Sequence, residues 1–321
     1  MISRVEVRLW TLLVLASLAA GAQQPPSVAP PAESKLFKVA FVRRVPKVGE
    51  WGQFRFEVYV TDSVGRKLKR LGLTGVTPAW SPDGKLLAFC SIEGTSTALY
   101  VASADGSSPH RIVGKPFERA CAPAWSPDGR TLAFEGRLKG KTGTYTVGLD
   151  GSNPTLILAD AAAPAWSPDG TQIAVQSARD GNLEIYVADP DGSNLSRLTR
   201  YPQEDSSPSW SPDGKRIAFS RAEGDRFSIF FMRADGSEAV RFVSDKHNNL
   251  CDPVWAPDGN SILFVMDAPS ALQQVPFDSS VSRCVGRPSV SQIMSMNLDG
   301  SNLKRLTTER DVSPAVVRAS E

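Results

Sequence analysis

Pro-Ala-Trp-Ser-Pro-Asp-Gly occupies residues 78–84, and the same seven residues return at 123–129 and 164–170. Two variants follow, Pro-Ser-Trp-Ser-Pro-Asp-Gly at 208–214 and Pro-Val-Trp-Ala-Pro-Asp-Gly at 253–259. The tryptophans, Trp80, Trp125, Trp166, Trp210 and Trp255, stand 45, 41, 44 and 45 residues apart. Self-similarity at such a period marks a chain built from stacked repeats. Each copy reads as a strand running into a tight turn. Proline presets φ at the second turn position, and Asp83, Asp128, Asp169, Asp213 and Asp258 suit the third. Glycine then accepts the left-handed conformation that follows. These tryptophans and aspartates therefore read as core and turn chemistry.

An apolar run of strand length follows each turn, at 86–89, 132–134, 173–175, 217–219 and 262–265. A further run comes next, then an Asp-Gly turn at 105–106, 150–151, 191–192, 235–236 and 299–300, and last a short fourth strand. Asp-Gly between apolar runs is a strong hairpin signal. Four antiparallel strands in about 44 residues is the size of one propeller blade. On these residues the chain resembles the TolB-like propeller repeat family, also called PD40 or WD40-like after its Pro-Asp dipeptide, over residues 36–317.

The first unit, from residue 36 to 72, lacks the Trp-Ser-Pro-Asp-Gly strand. Its counterpart lies at the other end of the chain. Asp311-Val312-Ser313-Pro314-Ala315-Val316 copies the run before each tryptophan, with Val316 in the tryptophan position. The expected fold is therefore all-β: a six-bladed propeller of four-stranded antiparallel blades, closed by a C-terminal strand at 313–317 that joins the N-terminal blade. Closure removes exposed sheet edges. The interval from Trp255 to Val316, 61 residues, is longer than the others. Its excess at 267–289 is expected to be an irregular surface loop.

Residues 1–22 read as a secretory signal, with Arg4 and Arg8 before an apolar core and Ala20-Gly21-Ala22 as the cleavage pattern. The apolar stretch is too short to span a bilayer, so no stable membrane span is expected after cleavage. Residues 23–35 form a Pro/Ala-rich linker, and 36–321 the propeller. A periplasmic or secreted location follows. Lys and Arg number 36 against 34 Asp and Glu, a net charge of +2. That balance makes no case for nucleic acid. A monomer is expected.

Four cysteines in an exported chain suggest disulfides. Inner strands begin, and second strands end, on the face opposite the Ser-Pro-Asp-Gly turns. Cys90, Cys121, Cys251 and Cys284 all map there. Cys90–Cys121 would staple neighbouring blades, and Cys251–Cys284 would pin the insertion to its own blade.

Enzyme signals are sparse. There is no Gly-x-Ser-x-Gly elbow, and the only histidines are His110 and His247. His247 leads into the sixth inner strand beside Asp245, Asn249 and Asp252, which could ligate a divalent ion. Equivalent positions before other tryptophans, such as Thr77, Ala163 and Ser207, are small, which argues against a ring of ligands. The same face collects Arg43, Arg44, Arg119, Arg137, Arg179 and Arg221, answered by Glu118, Asp180, Glu204 and Asp205. A mixed rim of this sort suits a protein or peptide.

The leading expectation is an exported, non-catalytic binding scaffold without a cofactor. The resemblance implies envelope maintenance, in which TolB contacts Pal and Tol components. Full-length TolB proteins add an N-terminal α/β domain that residues before 36 do not supply. Two alternatives stay open. One is a metal-assisted hydrolase, lactonase or sugar-active lyase using calcium or another divalent ion at the channel mouth. The other is a sensor of an anionic ligand or glycan, held by arginine forks.

Overall fold

The structure, a computed structural model, describes residues 36–46, 54–267, 291–307 and 316–317. Among them are six four-stranded antiparallel sheets and no helix. Blades 2 to 6 begin with the inner strands Val76–Trp80, Arg119–Trp125, Ala162–Trp166, Asp205–Trp210 and Asn249–Trp255. Each pairs with the strand after its Pro-Asp-Gly turn: Leu86–Glu93, Thr131–Leu138, Ile173–Ser177, Arg216–Glu223 and Ser261–Asp267. Two further strands complete each blade outward.

The first blade is assembled from both ends of the chain. Val316–Val317 pairs with Lys38–Pro46, with Val39 opposite Val317 and Ala40 opposite Val316. Phe54–Asp62 and Lys69–Thr74 complete this sheet. The expected closure is therefore present. The linker, the signal segment, residues 268–289 of the insertion and residues 313–315 of the expected closing strand lie outside the described residues.

The core lies between blades. Six buried apolar clusters are found among the described residues, one at each junction. Phe37, Val39 and Phe41 of the first blade pack with Ala256, Leu263, Ile293 and Leu306 of the sixth, so the last junction is a true core. Trp80, Trp125, Trp210 and Trp255 are buried in these clusters. The indoles of Trp125 and Trp255 donate to the carbonyls of Ala79 and Ser209 on the preceding inner strand, at 2.9 and 3.1 Å. The repeated tryptophan therefore binds one blade to the next.

The two turn families have separate jobs. In Ser-Pro-Asp-Gly, the Ser81, Ser126, Ser167 and Ser211 hydroxyls donate to Asp83, Asp128, Asp169 and Asp213 at 2.6–2.7 Å. These hydrogen bonds hold the carboxyls below the usual carboxylate range. In the sixth blade Ala256 replaces serine, and Asp258 keeps only the bond from the Asn260 N–H, at 2.9 Å. Four outer Asp-Gly turns, at Gly106, Gly151, Gly192 and Gly236, instead dock on the previous blade, whereas Gly300 has open space. Gly192 has φ +87°, and a Cβ there would meet the Ile157 carbonyl oxygen at 2.0 Å. Both the backbone conformation and the space demand glycine.

Candidate functional site

The inner strands are not regular. In all five whose register is described in full, the ladder slips between the residue four before the tryptophan and the residue one before it. At the slip, Thr77, Ala122, Ala163, Ser207 and Asp252 carry φ of 48°, 49°, 48°, 53° and 50°. Each immediately precedes a proline. A left-handed non-glycine residue costs about 1–2 kcal/mol, so the fold accepts this cost at five equivalent points.

The bulge turns an N–H away from its own ladder and toward the preceding blade. Ala122 donates to Thr77 Oγ1 at 3.2 Å, Ser207 to Gln176 Oε1 at 2.9 Å, and Asp252 to Ser220 Oγ at 3.1 Å. Gln176 and Ser220 occupy one position of the repeat, opposite the residue four before the tryptophan. In the second blade that position is Cys90, opposite Val76. Cys90 forms a disulfide with Cys121 of the next blade, with Cα atoms 4.9 Å apart. One level of the ring thus carries a latch at three junctions, covalent and hydrogen-bonded between the second and third blades and hydrogen-bonded between the fourth and fifth and the fifth and sixth.

The bulged residues line a central cavity of about 520 Å³. Alanine, proline and tryptophan make up most of its wall. No lysine, arginine or histidine is among its described lining residues, and Asp252 is the one carboxylate. Asp252 is 9% exposed. Its Oδ1 accepts the Ser207 hydroxyl at 2.6 Å, whereas its buried Oδ2 has no hydrogen-bond partner. Burial pushes the Asp252 carboxyl up, and the Ser207 bond only partly opposes this.

The basic residues of the rim are distributed differently from a simple solvated ring. Arg221 is buried and makes a two-pronged pair with Asp205, both bonds at 2.7 Å. Its guanidinium also lies 4.2 Å from the Tyr201 ring centre and 4.7 Å from that of Phe230. Burial pushes the Asp205 carboxyl up while Arg221 pulls it down. Arg119 reaches the buried Glu135 at 3.0 Å, and Arg137 reaches Glu118 at 3.2 Å. Arg43 sits 4.8 Å from the Tyr59 ring centre, and Arg44 is half-buried in the same strand. Arg179 donates to Ser177 Oγ and to the Ala159 carbonyl, and lines a smaller cavity of about 290 Å³.

The residues considered for a metal are engaged separately. Asp245 Oδ1 accepts the N–H groups of His247 and Asn248, both at 2.8 Å, which lowers its pKa. Asn249 Oδ1 accepts the Phe227 N–H. Among the described residues, no group of three or more His, Cys, Asp or Glu side chains could hold a metal ion. Cys251 is disulfide-bonded; its expected partner, Cys284, lies outside the described residues.

Sequence reasoning found the covalent staple, Cys90–Cys121, but not the bulge or the hydrogen-bonded latches. It also missed the buried Glu184, which accepts from Arg197, Thr199, Asn182 and the Tyr201 N–H. The available signal for the latch was positional: Cys90, Gln176 and Ser220 share one place in the repeat.

Residues 36–162 and 158–285 match the family profile of the TolB beta propeller domain, PD40. Over 79 residues the chain is 38% identical to the Tol-Pal system protein TolB of Thioalkalivibrio sulfidiphilus, covering 23% of this chain and 18% of that protein. The fold is similar to TolB from Acinetobacter baumannii, with a TM-score of 0.69 at 21% identity, covering 88% of this chain and 66% of that one. It is also similar to a TolB-assigned protein from Agrobacterium tumefaciens, with a TM-score of 0.65 at 24% identity, covering 89% and 99%. The chain thus spans less than a fifth of the curated relative and 66% of the first of these solved chains.

Proposed function

The chain belongs to the TolB beta propeller domain family, and from that we propose that it is an exported scaffold that binds a protein or peptide partner at the cell envelope. Family membership carries this reading. The mouth chemistry supports it: Arg137 pairs with Glu118 at the surface, while Arg119 and Arg221 pair with the buried Glu135 and Asp205, so the mouth does not present a field of one sign. Mixed rims around a small-residue channel suit contact with another polypeptide. Partnership with Pal and Tol components is the finer form of the same proposal. It is separate from whatever full-length relatives do through regions this chain does not span.

Site-directed photo-crosslinking tests the proposal. Probes placed at the exposed Lys139 and Asp225, on the cysteine face, are expected to capture one recurring envelope protein. Probes at Lys85 and Arg130, beside the Ser-Pro-Asp-Gly turns, are expected not to. Equal capture from both faces, or none from either, refutes the reading. Metal content of the purified protein separates binding from metal-assisted hydrolysis, since a calcium or zinc hydrolase would carry near-stoichiometric ion.

A further inference from the structure

We propose that the outer rim at the closing junction, where the first and sixth blades meet, docks on a lipid bilayer that carries anionic headgroups. The proposal goes beyond the scaffold reading, because it concerns the face opposite the cysteines. It starts from a departure from the repeat. In blades 2 to 6 both turns on this face carry an aspartate, one in Pro-Asp-Gly and one in Asp-Gly. The outer turn of the first blade is instead Val64-Gly65, and it runs into Arg66-Lys67-Leu68-Lys69-Arg70. The acid before this turn, Asp62, is buried and accepts the Val64 and Arg66 N–H groups at 3.2 and 2.8 Å. In the sixth blade Leu303 leads into the outer strand Lys304–Arg305.

These residues share one edge of the molecule. A Cβ on Gly65 would stand 2.6 Å from the Leu306 carbonyl oxygen, so the turn rests against the chain that carries Lys304. The Phe37 N–H donates to Ser63 Oγ at 3.4 Å, which brings Leu36 to the same place. Leu36, Val64, Leu68 and Leu303 are four of the seven exposed large apolar residues among the described residues, so apolar exposure is concentrated here. The basic side chains beside them are exposed too. Lys67, Lys304 and Arg305 form no ion pair with a described acid. Arg66 reaches Asp62 only at 3.7 Å, and Lys69 has Asp105 of the second blade within electrostatic reach. A bilayer matches this patch on both counts. Anionic headgroups attract lysine and arginine held near them, and leucine side chains enter the boundary between headgroups and acyl chains. Lysine stems cover apolar surface there while the ammonium stays among the headgroups. A protein partner fits less well. Protein interfaces are enriched in aromatic residues and depleted in lysine, whereas this patch has Lys67, Lys69 and Lys304 and no exposed aromatic residue. The turn aspartates of the other blades repel an anionic surface, so contact is confined to this rim.

Co-sedimentation of the mature protein with vesicles tests the proposal. Mixed phosphatidylcholine and phosphatidylglycerol vesicles are expected to bind it, and vesicles of phosphatidylcholine alone to bind at least about tenfold more weakly. Lys67→Glu with Lys304→Glu is expected to weaken binding to the mixed vesicles by at least about tenfold. Leu68→Ser with Leu303→Ser, which leaves the charge unchanged, is expected to weaken it severalfold. Lys85→Glu with Lys215→Glu reverses two exposed lysines beside the Ser-Pro-Asp-Gly turns and is expected to leave binding as in wild type. All six positions are exposed, and thermal unfolding checks that each variant is folded. No binding to the mixed vesicles overturns the proposal. So does a loss from the Lys85 and Lys215 pair as large as that from Lys67 and Lys304, or a leucine pair without effect. A soluble glutamate-rich peptide that binds more tightly than the vesicles assigns the patch to an acidic polypeptide and overturns it as well. Failure of the scaffold reading is read separately, from crosslinking at Lys139 and Asp225 on the other face.

Discussion

Replacing Asp252 by asparagine should make the protein more stable, and the gain should depend on pH. The substitution keeps the Oδ1 that accepts the Ser207 hydroxyl. Asparagine also tolerates the left-handed backbone at φ 50° better than most residues. What it removes is a negative charge on a side chain that is 9% exposed and has an unpartnered Oδ2. Leaving a buried polar group unsatisfied costs about 1–3 kcal/mol, and more for a charged one. The new amide nitrogen is itself buried, so the net gain is about 1–2 kcal/mol, or roughly 2–8 °C in Tm for a domain of this size. The folded-state pKa of Asp252 lies above its ordinary value. Between the unfolded and folded pKa values the native state therefore holds the extra proton, and wild-type stability falls as pH rises through this window. Below about pH 4, the ordinary carboxylate range, both proteins should be equally stable in this respect. The gap should open on the alkaline side and then level off. The turn aspartates Asp83, Asp128, Asp169 and Asp213 have the opposite sign, since their lowered pKa values give stability that is lost as pH falls. They are common to both proteins and cancel in the difference. Urea unfolding of the two proteins from pH 4 to pH 8 measures the gap. A variant that is less stable than wild type at pH 8, or a gap that does not change with pH, refutes the assignment of Asp252 as a desolvated carboxylate.

Three other substitutions test the ring. Cys90→Ser with Cys121→Ser opens a disulfide spanning 31 residues, which the loop-entropy model values at about 3–4 kcal/mol; a urea midpoint unchanged from wild type would show that the hydrogen-bonded latches suffice. Gly192→Ala places a methyl group 2.0 Å from the Ile157 carbonyl oxygen at φ +87°, and should cost about 2 kcal/mol or more, whereas Gly94→Ala, with open space around it, should cost only the backbone strain; equal Tm losses would contradict the docking of the outer turn. Arg221→Ala leaves the fully buried Asp205 without its partner and should destabilise by about 3–5 kcal/mol, with recovery when Asp205→Asn is added; failure of the second change to restore any stability in thermal unfolding would mean that the pair is not the source of the loss.

The propeller was legible because each blade repeats the same local chemistry. Ser-Pro-Asp-Gly fixes the first turn, Asp-Gly the third, and the tryptophan marks the inner strand. Closure was legible for the same reason, but its register is one residue on from the expected one: tryptophan faces Leu87 and Ile217 in the second and fifth blades, and Val317, not Val316, faces their equivalent Val39, while Val316 faces Ala40. Cys90 and Cys121 could be matched from topology because they lie on a second strand and on the next inner strand, although Cys90 sits inside Leu86–Glu93 rather than at its end and Cys121 inside Arg119–Trp125.

The site was less legible because its deciding feature runs against local preference. A residue before proline ordinarily favours extended backbone, and threonine, alanine and serine do not seek φ near 50°. Nothing in Thr77-Pro78 or Ala163-Pro164 announces a left-handed turn. At Ser207 and Asp252 the neighbouring blade supplies the reward, since Gln176 and Ser220 accept the N–H that the bulge releases. Pairings such as Arg221 with Asp205 are hidden likewise, because the residues are 16 apart and meet only when two strands align. This also explains why Asp252 differs in kind from the acids of the rim. Its side chain is placed by an inter-blade constraint that in the third and fourth blades needs only alanine. The carboxylate there adds a bond of its own between blades, accepting the Ser207 hydroxyl on Oδ1, and leaves Oδ2 buried and unbonded, so it ties the fifth blade to the sixth at a desolvation cost.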